Sequence, residues 1–176
     1  MPPDLRYPIG EFEPVQTLAP GERQVCIQAI AEVPARLRAA VAGLSAAQLD
    51  TPYRPGGWTV RQLVHHIADS HMNAVTRFKL ALTEDEPLVK TYEERLWAEL
   101  ADANTPPIDS SLAILEHLHA RWVILLRSLT PDQFPRKFRH PQWGAATVDF
   151  LLAQYAWHGR HHVAHITSLR ERSGWR

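Results

Sequence analysis

Apolar residues recur three and four positions apart over four long stretches of the chain, the spacing that places side chains on one face of a helix. Val25, Ala29, Val33, Leu37 and Val41 predict a first helix over 21–41, and Pro34 inside it should kink or interrupt the backbone. Ser45 with Gln48 has capping-box spacing and predicts one short turn. After the turn-rich run Tyr53 to Trp58, Thr59 with Gln62 repeats that spacing. It opens a second long helix over about 60–82, with a core stripe of Val60, Leu63, Ile67, Ala74 and Phe78. Residues 91–101 suggest a short helix carrying Tyr92, Trp97 and Leu100. Asp109 or Ser110 should cap a third long helix to about 129, with Leu112, Leu115, Leu118, Trp122 and Leu125 on its apolar face.

Residues 130–146, with Pro131, Pro135, Pro141 and Gly144, read as a loop, and Thr147 as the cap of a last helix to about 172. No run alternates with period two between turn signals, so no strand is expected. Pro8, Gly10, Pro14 and Pro20 break up residues 1–20, which read as an extended arm. The fold class expected is all-α: one four-helix-bundle domain over 1–176, with an arm at 1–20 and helices over about 21–172.

Composition narrows the function. A chain of 176 residues, 45% hydrophobic, can bury its own core. Its formal charge of zero offers no basic field for a nucleic acid or an anionic membrane. A single cysteine, Cys26, excludes an internal disulfide framework and fits a reducing compartment. The start has no signal-peptide shape, and no stretch reaches the ~20 apolar residues of a membrane span. A cytoplasmic protein with a small-molecule partner is expected.

Ten histidines are many for this length, and four of them fall within eight residues: His158, His161, His162 and His165. On a helix, positions i and i+4 share a face, so His161 with His165, and equally His158 with His162, can reach one cation. An isolated histidine is usually a packed or surface residue. Four on one helix face would be costly to bury unless each found a partner, and a metal satisfies several at once. A further ligand must come from another helix. His66 is the best placed, at the edge of its apolar stripe, with Ser70, Asn73 and Arg77 on the same face. His65 and His71 do not share that strip, and His117, His119 and His140 read as packing, surface or turn residues.

Several long strings in order resemble the DinB/YfiT family of metal-dependent hydrolases. They include Tyr7-Pro-Ile-Gly10-Glu-Phe12, Pro55-Gly-Gly-Trp-Thr-Val60, His65-His-Ile-Ala-Asp-Ser-His-Met-Asn73, Arg77 to Thr83, Tyr92 to Glu99, His140-Pro-Gln-Trp-Gly144 and Tyr155 to His165. The resemblance implies a four-helix DinB-like bundle, commonly a homodimer, with one zinc or nickel ion per chain on three histidines. The family's first ligand lies two helical turns after a tryptophan, which maps to His66. Its His-x-x-x-His pair maps to His161 and His165, and His158 and His162 would then pack behind them.

Three neutral imidazoles leave a tetrahedral ion one open position, where structural zinc sites are usually closed by four ligands. A bound water can then fall to a pKa of about 7, and a bound thiol can lose its proton. Hydrolysis of a small molecule by metal-bound water is the first expectation. Transfer of a low-molecular-weight thiol such as bacillithiol is the alternative, and a non-enzymatic metal-binding or interaction bundle is a third. Asn73 and Arg77 are candidates to orient an anionic or amide-bearing substrate. Asp69 is a candidate to hold the His66 ring, and Tyr92 to wall the pocket. No general base stands out.

Overall fold

The computed structural model describes residues 4–175, so the first three residues of the expected arm lie outside it. Four long helices dominate: α1 (Pro20–Val41), α3 (Val60–Thr83), α6 (Asp109–Ser128) and α7 (Val148–Ser173). Short helices α2 (Ala46–Leu49), α4 (Glu94–Trp97) and α5 (Ala101–Asn104) fill the connections. Helix α1 packs against α6 and α7, and α3 packs against the same two. Successive long helices α1 and α3 therefore stand at diagonal corners of the bundle.

Local chemistry sets the helix ends. Gln62 N donates to Thr59 Oγ1 at 3.1 Å while Thr59 N donates to Gln62 Oε1 at 2.9 Å, which satisfies two donors at the start of α3. Thr147 does half of this for α7, accepting from Phe150 N at 3.1 Å. Helix α6 differs from expectation: Ile108 occupies its N-cap position and no side chain caps it. Helix α1 also differs, running through Pro34 from Pro20 to Val41 without a break. The expected short helix at 91–101 is two separate turns, α4 and α5.

The expected loop at 130–146 contains a β-hairpin. Strands β1 (Lys137–His140) and β2 (Gly144–Thr147) pair antiparallel, with Phe138 opposite Ala146 and His140 opposite Gly144. Gly144 takes φ 70°, a left-handed conformation that suits glycine at the hairpin turn. Phe138 is fully buried and fastens the hairpin to the bundle.

The apolar interior is split in two. One cluster includes Ile30, Ala74, Trp122 and Ala156, and the other includes Val33, Ile67, Leu115 and Ile166. Along α3, α6 and α7 the residues between these markers include Ser70, His71, His119, His158 and His162, all buried. A polar layer thus crosses the middle of the bundle.

Candidate metal centre

Helix α7 brings most of the layer. Leu151, Tyr155, His158, His162, Ile166 and Leu169 follow the four-and-three spacing of a buried stripe, and all six are buried. His158 and His162 therefore point where the apolar residues point. From α3, His66 meets them, its ring centroid 5.4 Å from that of His158 and 4.9 Å from that of His162. One ligand nitrogen from each of His66, His158 and His162 lies within 4.8 Å of the others.

The expected set, His66 with His161 and His165, is not one of the groups that the structure brings together. His161 and His165 form a second such group, but with His162, and among the described residues no group of three joins them to His66. They flank the buried stripe. His161 stacks on Trp157 at 4.2 Å, and its Nδ1 has no hydrogen-bond partner among the described residues. His165 Nε2 donates to the carbonyl of Arg6 in the arm at 3.0 Å, and its ring lies 4.0 Å from that of Tyr53. The arm thus lies over this face of α7, where Trp157 Nε1 also donates to Gly10 O.

The triad suits a cation that prefers nitrogen ligands. Burial lowers the pKa of His66 to about 3 and carries those of His158 and His162 well below the ordinary value, so all three rings stay neutral. Neutral imidazole is the ligating form. His66 is 4% exposed, and its ring makes no side-chain hydrogen bond among the described residues, which leaves its nitrogens free to meet a cation. Trp58 packs against it, with centroids 4.6 Å apart. A surface cavity of about 620 Å³ also borders Trp58, between Arg54, Gln62, Arg95 and Glu99.

The other expected pocket residues separate. Asn73 turns back onto its own helix, donating to the Asp69 carbonyl at 2.9 Å. The Asp69 side chain makes no hydrogen bond to His66 among the described residues. Its carboxyl is half-buried, and burial, reinforced by Asp102, raises its pKa to about 6. Arg77 is buried, donating to Tyr155 Oη at 3.0 Å and to Lys90 O at 3.2 Å, and its Nε is unpartnered. It has no carboxylate at ion-pair distance among the described residues. Tyr92 packs against Trp97 with the rings tilted and their centroids 4.4 Å apart, and its buried hydroxyl has no partner among the described residues.

His71, read from sequence as off the polar strip, and His119, read as packing or surface, both adjoin this site. His71 and His119 are joined at 2.8 Å, and His71 reaches His158 at 3.1 Å. Ser70, named only as part of a polar strip, lies with its Oγ 3.3 Å from His158 Nε2.

A four-helix bundle with three clustered histidines is the architecture of a metal-binding bundle protein, and the sequence places it: residues 29–166 match the DinB superfamily, to which the chain belongs. The chain is 51% identical over 173 residues to a Bacillus subtilis (strain 168) protein named "Putative metal-dependent hydrolase YfiT", covering 98% of this chain and 97% of that one. A relative from Bacillus mycoides (strain KBAB4) is 54% identical over 98% of this chain and 99% of its own. The solved structure of YfiT, with an unusual four-helix bundle topology, matches 98% of this chain and 99% of its own at a TM-score of 0.95.

Proposed function

We propose that the protein is a metal-dependent hydrolase whose divalent cation, zinc or nickel, is held by His66, His158 and His162. The observation that carries the reading is the convergence of three buried, neutral imidazoles from two helices, with ligand nitrogens within 4.8 Å of one another. Imidazole suits both ions, and three protein ligands leave a coordination position open. When bound, the cation supplies Lewis acidity that activates water at neutral pH.

The chain's own residues do the rest. Arg77, a buried cation with no carboxylate at ion-pair distance among the described residues, favours a substrate that carries negative charge. The Tyr92 hydroxyl offers a free hydrogen bond to the same substrate. Asp69, whose burial raises its pKa to about 6, is suited to moving a proton near neutrality. Trp58 covers His66 and borders the cavity through which substrate would approach.

The test is metal content per purified chain, followed by assay of metal-loaded protein on anionic esters and amides, with thiol conjugation assayed in parallel. We expect one ion per chain, loss of the ion in His158→Ala, and retention in His161→Ala. Retention in the first variant and loss in the second would restore the pair His161 and His165. Thiol conjugation without hydrolysis would replace the hydrolase reading.

A further inference from the structure

Hydrogen-bond direction can be read through the polar layer from its outer end. His119 Nδ1 lies 2.8 Å from the carbonyl oxygen of Ile30. A carbonyl only accepts, so this nitrogen carries the proton. A neutral imidazole has one donor and one acceptor, so His119 Nε2 accepts, and it accepts from His71 Nδ1 at 2.8 Å. His71 Nε2 is then an acceptor, and it accepts from His158 Nδ1 at 3.1 Å. The proton of His158 is thereby fixed on Nδ1, and its Nε2 keeps the lone pair, which accepts from Ser70 Oγ at 3.3 Å in the metal-free chain and can turn to a cation instead.

The carbonyl that anchors this chain is available for a sequence reason. In an α-helix, Ile30 O would accept from the backbone N–H of residue 34. That residue is Pro34, which has no N–H, and α1 continues through it. His119 takes the acceptor that proline leaves open. A shorter chain serves His162. His165 Nε2 donates to Arg6 O at 3.0 Å, so His165 Nδ1 is left to accept from His162 Nδ1 at 3.4 Å, which frees His162 Nε2.

We propose that His119 and His71, anchored on the Ile30 carbonyl freed by Pro34, and His165, anchored on the Arg6 carbonyl, are positioning residues that lock the ring tautomers of His158 and His162 with both Nε2 lone pairs available to the cation. This rests on the metal reading above, but the tautomers belong to the metal-free chain and are measurable without an ion. Locking removes the competing tautomer, in which Nε2 carries a proton and cannot ligate.

The experiment is long-range proton–nitrogen NMR of the imidazole rings in the ¹⁵N-labelled, metal-free full chain, with zinc affinity measured by chelator competition. We expect Nδ1–H for His119, His71, His158 and His162, and Nε2–H for His165. In His119→Leu the acceptor for His71 is gone, so His71 can reverse and donate from Nε2. We then expect His158 to move its proton to Nε2, and zinc affinity to fall about 10–100-fold. His119→Gln, whose amide oxygen still accepts from His71, should restore both. Nε2–H on His158 in the unmodified chain overturns the proposal, and that reading does not depend on any variant folding. Equal behaviour of the Leu and Gln variants overturns it too. Two zinc ions per chain would make His161, His162 and His165 a site of their own and remove His165 from the scheme. The stated tautomers in a chain that binds no zinc would sink the metal reading and, with it, the role of the lock.

Discussion

Pro34 and His119 meet at one carbonyl: the proline cannot donate to Ile30 O, and the imidazole does, at 2.8 Å. A proline inside a helix costs about 3 kcal/mol through its missing hydrogen bond and ring clash. The His119 bond returns part of that here. Pro34→Ala should restore the helical N–H and stabilise the metal-free protein by about 1–2 kcal/mol, the proline's effect on the unfolded chain working the other way. It should also make His119 share its acceptor and weaken zinc binding. Urea unfolding and zinc titration read the two effects separately. A variant that is less stable than the parent would mean that Pro34 holds α1 in a shape alanine cannot.

Gly159 follows His158 on α7 where that helix crosses α1. A Cβ there would collide with Val33 Cγ2. Valine is short and stiff, so the helices must separate to admit a methyl group. Gly159→Ala should destabilise the protein by about 1–3 kcal/mol. Adding Val33→Ala should recover part of the loss, a coupling that a double-mutant cycle in urea measures. Independent, additive losses would show that the crossing is not the cause.

Asp149 ties the arm to the bundle. It is 1% exposed and accepts from Arg23 Nε and from a terminal nitrogen of the same guanidinium, both at 2.8 Å, and from Leu18 N at 3.1 Å. It also lies in the first turn of α7, where the helix dipole favours an anion. Asp149→Ala leaves a partly buried guanidinium and a buried backbone donor without partners. The expected cost is about 3–5 kcal/mol, with faster proteolysis within residues 4–19. A stability loss below about 1 kcal/mol would place this pair among ordinary surface ion pairs.

The long helices were legible because each carries an apolar stripe and two of them, α3 and α7, carry caps. The hairpin was not. Its strands hold four residues each, and Phe138 and His140 are the only inward positions of β1, too few to display a period. The histidine pair illustrates a subtler loss. His158 and His162 continue the spacing of Leu151, Tyr155, Ile166 and Leu169, so the helix phase favours them over His161 and His165. Both pairs satisfy i,i+4, and the stripe rather than the spacing separates them. His71 and His119 were beyond sequence reading, because their pairing spans 48 residues and exists only once α3 and α6 have packed. Pro34 was visible as an anomaly in a helix, but its partner was not.

Acid should unfold the metal-free protein, and the direction follows from the histidine layer. Burial lowers the pKa of His66 and His161 to about 3 and of His119, His140 and His165 to about 4, while an unfolded chain titrates near 6.5. The unfolded state then binds more protons at every pH between those values, so stability is fully present above about pH 6.5 and declines as the pH drops toward 4. Each independent group contributes a slope of up to about 1.4 kcal/mol per pH unit, although neighbours in one layer titrate together and share it. Asp69 acts in the opposite sense: its raised value of about 6 means that protonation relieves a buried charge in the same window. The histidines outnumber it, so the urea midpoint should fall steadily from pH 7 to pH 5, with a stability loss of about 2 kcal/mol or more. Zinc competes with protons for the same nitrogens and should move the decline to lower pH. A midpoint that stayed level across that range in chelator-treated protein would show that the layer is hydrated rather than buried.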